Sequence, residues 1–92
     1  MPVVAVDPAG TVLLANPAAQ EAFPKTFRGA VGSGLAPRLP AGMADALGRF
    51  LAGQDGESRL GAELEGHALT IRLRKLTDGA TILGCILVLE KA

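Results

Sequence analysis

Few side chains in this chain of 92 residues carry chemistry, and their spacing gives them little to do together. A hydrolytic triad needs a nucleophile, a histidine and a carboxylate brought to one point. The only histidine is His67, and the only serines are Ser33 and Ser58. Ser33 lies in the glycine-rich run Gly29-Ala30-Val31-Gly32-Ser33-Gly34. That run lacks the Lys-Ser/Thr end of a phosphate loop and follows no strand-like segment, so it reads as a flexible loop. Nor is Ser33 a nucleophile elbow, because Val31 and Leu35 stand where glycines are required. A single cysteine, Cys85, rules out an internal disulfide and a thiolate metal cluster. It falls within an apolar run, which suits a small inert core residue. His67 follows Glu65-Gly66 and reads as an exposed residue at a turn. Neither an enzyme nor a metal site is expected.

Composition narrows the remaining classes. Apolar residues make up 49% of the chain, so it is globular rather than disordered. With three Phe and neither Trp nor Tyr, the core must be built from Leu, Val, Ile and Ala. Nine basic residues balance nine acidic ones, so there is no electrostatic case for nucleic acid. The longest apolar run, Ile82 to Leu89, is far too short to span a bilayer, and no signal-peptide pattern opens the chain. The expectation is one soluble, cytoplasmic domain over residues 1–92, a fragment of a longer chain, with no membrane contact of its own.

The elements follow from periodicity and turn chemistry. Val3 to Val6 and Thr11 to Ala15 read as strands around the turn Asp7-Pro8-Ala9-Gly10. In the simplest register Val4, Val6, Val12 and Leu14 share one face, and Val3, Ala5, Thr11 and Leu13 the other. Asn16-Pro17 is a helix start: Asn accepts from a free N–H of the first turn, and Pro suits the first helical position. That helix runs to about Phe23, where Pro24 stops it. Ala19, Ala22 and Phe23 should face inward. Lys25 to Pro40 is broken by Gly and Pro and should be irregular, with one or two helical turns near Gly34 to Leu39. Pro40 to Leu51 reads as a longer helix with Met43, Leu47, Phe50 and Leu51 on one side, ending at Gly53. A period of two then governs Arg59–Leu64 and Leu69–Arg74, two half-exposed strands joined at Glu65-Gly66. Thr81 to Leu89 is a last strand, apolar on both faces. The class is α+β.

The opening VVAVDPAGTVLLANPAA resembles the PAS domain, with its strand, Asp-x-x-Gly turn, second strand and Asn-Pro-Ala-Ala helix start. The glycine-containing final strand ATILGCILVLE fits the same pattern. The resemblance implies a five-stranded antiparallel sheet in spatial order 2-1-5-4-3, with short helices on one face. It also implies signal transduction, as in sensor histidine kinases of two-component systems and in transcription regulators. The chain departs from the family in Lys25 to Pro40, and in Leu89-Glu90-Lys91, where an Asp-Ile-Thr type ending often leads to the output helix.

The resemblance also says where to look for cofactors. Haem-binding relatives use a His on the long helix, and Pro40 to Gly53 has none. Flavin photosensors carry a Cys in an Asn-Cys-Arg motif, which is absent. No prosthetic group is therefore expected. Two readings stay open. In the first, the domain is a dimerisation or docking module, forming a homodimer or meeting a partner signalling protein. Val3, Ala5, Leu13 and Leu87 would lie on the outer sheet face, or a flanking helix would cover it. In the second, a small molecule sits between sheet and helices near Phe27, Arg28, Met43, Leu47, Phe50, Ile71 and Leu73, though the apolar members of that set read more simply as the core that a domain of this size needs. Arg28 or Arg38 would then meet an acidic ligand, though both read more simply as solvated. Asn16 is assigned a structural role as the helix cap.

Overall fold

In the computed structural model, which describes residues 1–91, five strands form one antiparallel sheet with the helices on a single face. The strands are β1 (Val3–Val6), β2 (Val12–Ala15), β3 (Glu57–Leu64), β4 (His67–Asp78) and β5 (Thr81–Lys91). Their spatial order is β2-β1-β5-β4-β3, as the resemblance implies. The helices are α1 (Pro17–Ala22), α2 (Pro24–Phe27) and α3 (Ala41–Ala52), with one 3-10 turn at Ala36–Arg38.

The first hairpin is built around Asp7. Its Oδ1 accepts from the N–H groups of Ala9 and Thr11, both at 2.9 Å. That closes a local turn in which Gly10 takes a positive φ of 87°. The register then departs from the simplest one. Ala5 pairs with Leu14 but Val6 pairs with Val12, so Leu13 is left without a partner in a bulge. Val12 and Ala15 therefore face the core, while Leu13 and Leu14 both face out. Leu14 was expected inside; one inserted residue reversed its side.

Asn16 caps α1 and does more. Its Oδ1 accepts from Ala19 N–H at 2.9 Å and from Val3 N–H at 3.0 Å. Its Nδ2 donates to the Met1 carbonyl at 2.8 Å. One amide thus fastens the start of β1 to the start of α1. Pro17 stands at the first helical position, as expected.

Pro24 ends α1 but also begins α2, a helical turn that no local pattern announces. Its first N–H groups are met from a distance. The Glu65 carboxylate accepts from Thr26 N–H at 3.0 Å, Thr26 Oγ1 at 2.9 Å and Lys25 N–H at 3.3 Å. Glu65 sits in the β3–β4 turn at φ 51°, followed by Gly66 at 81°. Two successive positive φ values suit a two-residue hairpin, and they aim the carboxylate at α2.

The core lies between α1–α3 and the inner face of the sheet. Its largest fully buried members are Phe23, Phe27, Leu35, Ile71 and Leu73. Phe23 and Phe27 meet edge to face at 6.3 Å. From β5, the side chains of Cys85, Leu87 and Leu89 point inward. The expectation that Leu87 belongs to the outer face is therefore corrected: it pairs with Val4 on the core side and is 2% exposed. Gly84 lets β5 cross close over the end of β1, because a Cβ there would collide with the Val6 carbonyl oxygen.

Two stability predictions follow from these contacts. Asn16→Ala should cost about 1–3 kcal/mol in urea denaturation, since it removes a cap and two further bonds. It should also speed hydrogen exchange at the Val3 amide. Gly84→Ala should cost a similar amount, about 1–3 kcal/mol, through backbone displacement rather than lost contacts; an unchanged denaturation midpoint would refute the close approach.

Candidate functional site

The apolar residues expected around a ligand do converge. Phe27, Met43, Leu47, Phe50, Ile71 and Leu73 all line the space between helices and sheet, each no more than 7% exposed. They pack on one another as the core itself. Arg28 does not join them; it is exposed at the end of α2. Lys75 reaches over this set from the inner side of β4. Its Nζ lies 4.9 Å from the Phe50 ring centre and donates to the Gly53 carbonyl at 2.6 Å. A cation there complements the C-terminal end of α3.

Arg38, expected to be solvated, is half-buried, and its guanidinium is engaged within the chain. Its guanidinium donates to Ser33 Oγ, and to the carbonyls of Thr26, Arg28 and Gly29, all at 3.2–3.3 Å. It gathers the carbonyls released at the end of α2 and holds the following loop in shape. That loop in turn covers one edge of the sheet. Val12 N–H donates to the Ser33 carbonyl at 2.9 Å, and Gly32 N–H donates to the Val12 carbonyl at 2.8 Å. The glycine run is thus an edge cover.

Openings flank α3 on both sides. One groove, about 250 Å³, is lined by Gly10, Leu35, Pro37, Leu47 and Leu51 among others. The other, about 240 Å³, lies between α3 and β3, with Pro40, Met43, Ala46, Leu60 and Ala62 in its walls. Both are open to solvent and largely apolar. Cys85 contributes to neither. It is fully buried, and burial pushes its thiol up, so little reactive thiolate forms near neutral pH. His67 is exposed and stacks edge to face on Phe23 at 6.1 Å.

The outer sheet face divides into two halves. Across β2, β1 and β5 it carries Leu14, Ala5, Val3, Ile86 and Val88, with Leu13 beside them in the bulge. Val3, Ala5 and Leu13 stand where the sequence put them. Leu14, Ile86 and Val88 complete the strip, and reading them required the bulge and the parity of β5. Across β4 and β3 the same face is charged. Arg72 meets Glu90 at 3.4 Å, and Arg74 meets Glu57 at 3.6 Å. These exposed pairs contribute little stability.

A scan against family models and a search of curated proteins found no match to this sequence. Solved structures do match its shape. The sensor region of a sensor histidine kinase superposes with a TM-score of 0.79 at 19% identity over 98% of this chain. This chain spans only 38% of that one. The PAS domain of BvgS from Bordetella pertussis gives 0.73 at 18% identity, covering 99% of this chain and 76% of that one. The PAS domain of the quorum-sensing receptor RpfR from Cronobacter turicensis, in complex with C12:0, gives 0.70 at 15% identity, covering 95% and 90%. In strand order, in the placing of short helices on one face, and in these superpositions, the chain has the fold of a PAS domain.

Proposed function

We propose that this domain is a PAS-type signalling module that works by protein–protein association through the apolar half of its outer sheet face, without a prosthetic group. One observation carries the reading: that face exposes adjoining apolar side chains that, among the described residues, no helix covers. Leu13 and Leu14 are 56% and 48% exposed, and the half-buried Val3, Ala5, Ile86 and Val88 extend the strip across three strands. An uncovered apolar strip rimmed by charge is a common form of interaction surface. The inner face supports the same reading, since its side chains already fill the space where a prosthetic group would sit. The occupant is a second copy of the signalling protein, meeting the strip with its own sheet face or with a helix next to the domain. The setting is the cytoplasmic part of a sensor histidine kinase of the two-component kind.

A second reading has one observation in its favour. The RpfR domain, of like fold, is in complex with C12:0, and the grooves beside α3 offer apolar walls here. In this reading an acyl chain would enter along α3 and displace Leu47 or Met43.

Leu14→Glu separates these readings. It should weaken self-association roughly tenfold or more, the scale of one leucine left unburied, while the thermal transition stays in place. Unchanged association overturns docking through this face. Native mass spectrometry after addition of C12:0 should show the bare polypeptide mass; a stoichiometric adduct supports sensing instead.

A further inference from the structure

The two edges of the sheet are treated differently. On the β2 edge, Val12 has both its N–H and its carbonyl bonded to the Gly32–Ser33 loop, and Thr11 bridges to Gly34. The β3 edge has no such cover. Leu64 pairs with His67 across the two-residue turn, so alternate residues of β3 bond inward to β4. The N–H and carbonyl groups of Glu57, Arg59, Gly61 and Glu63 point outward, and among the described residues no backbone bond from elsewhere in the chain reaches them. An open edge of eight residues is a template for another strand.

The charges along it carry both signs. Edges are commonly protected by charged side chains, lysine above all, which repel a second copy when they share one sign. Here Arg59 and Glu63 have opposite signs and flank Gly61 at equal distance. Neither forms an ion pair among the described residues. Arg59 lies directly across from Arg72, a like-charge neighbour, and Glu63 lies across from Ala68. Each therefore lacks a favourable partner among the described residues. Gly61 has open space around its would-be Cβ and no positive φ, so neither packing nor backbone conformation within the domain calls for glycine. Glycine within a strand often marks close approach of another backbone.

We propose that β3 pairs antiparallel with β3 of a second copy, about a two-fold axis normal to the sheet at Gly61. In this register Gly61 faces Gly61 of the second copy. Arg59 of each copy faces Glu63 of the other, and these are the residues whose backbone groups point outward. Both ion pairs form on the outer face, and each Glu63 relieves the repulsion between Arg59 and Arg72. On the inner face, Leu60 comes opposite Ala62 of the second copy. Their side chains then enter the groove between α3 and β3, whose walls are already apolar. The product is one ten-stranded sheet. Its two apolar strips lie at the far ends of a shared outer face, so this contact does not depend on docking through that face.

Charge reversal tests the register. Arg59→Glu turns the like-charge pair with Arg72 into an attractive one, so the monomer should melt no lower than wild type. It should nevertheless weaken the dimer, roughly tenfold for two cross-strand pairs made repulsive. Adding Glu63→Arg should restore the wild-type affinity. Gly61→Pro, which removes only an outward N–H, should abolish pairing and leave the fold intact. Sedimentation velocity at millimolar protein gives the affinities. Hydrogen exchange should show the amides of Arg59, Gly61 and Glu63 gaining protection as concentration rises. A wild-type chain that stays monomeric overturns the proposal, as does a dimer that ignores Arg59→Glu, is not restored by adding Glu63→Arg, or leaves those amides open. A dimer lost only on Leu14→Glu assigns association to the sheet face. A monomer that binds an extended peptide along β3 reassigns the edge to a different partner.

Discussion

The pairing of β1 with β5 is the contact on which the rest of the domain depends. It joins the first strand to the last, so it closes nearly the whole chain into one loop, an entropic cost met only by the ladders and the core that the closure permits. Two details make it possible. Gly84 removes the side chain that would strike the Val6 carbonyl. Asn16 ties the start of β1 to the start of α1, so the strand enters the sheet at a set height. Once β1 and β5 are adjacent, the hairpins on either side extend the sheet to five strands, and Cys85, Leu87 and Leu89 all turn to the side where the helices lie.

On that inner side, three long polar side chains hold segments that packing alone would leave loose. Glu65 reaches from the β3–β4 turn to the first N–H groups of α2. Arg38 collects the carbonyls at the end of the same helix. Lys75 closes the end of α3. Each satisfies backbone groups that a short helix cannot satisfy within itself. A chain with only three Phe and small aliphatic residues needs such ties, because a domain of this size has a thin core.

Among the described residues no helix lies over the outer side, and there the charge pattern sorts the surface. The half nearest β2 is apolar and suits a broad contact. The half nearest β3 is charged on its face and open along its edge. The loop Gly29–Gly34 covers the β2 edge at the cost of two left-handed glycines, Gly29 and Gly32. One edge is covered and, among the described residues, the other is not, so the two edges of the sheet are unequal.

Much of this was legible in residues 3–23 alone. Asp7 and Gly10 specify a turn, Asn16 and Pro17 a helix start, and both act through neighbours in sequence. The period of two in β3 and β4, and the stripe Met43-Leu47-Phe50, were equally plain, since each is a local repeat. The candidate interior residues were legible as a set, and as core, for the same reason. Other features were not legible. Leu14 turned outward because Leu13 bulges, and Leu87 turned inward because of its partner Val4. Helix α2 depends on a carboxylate some forty residues away, and Arg38 on carbonyls of a loop it helps to shape. The sequence by itself determined the elements other than α2, their order and the cap at Asn16, because turn chemistry and periodicity act over a few residues. Only the tertiary structure decided which face each strand residue took, what covers each edge and which polar side chains serve as ties, because those depend on pairing between segments far apart in the chain.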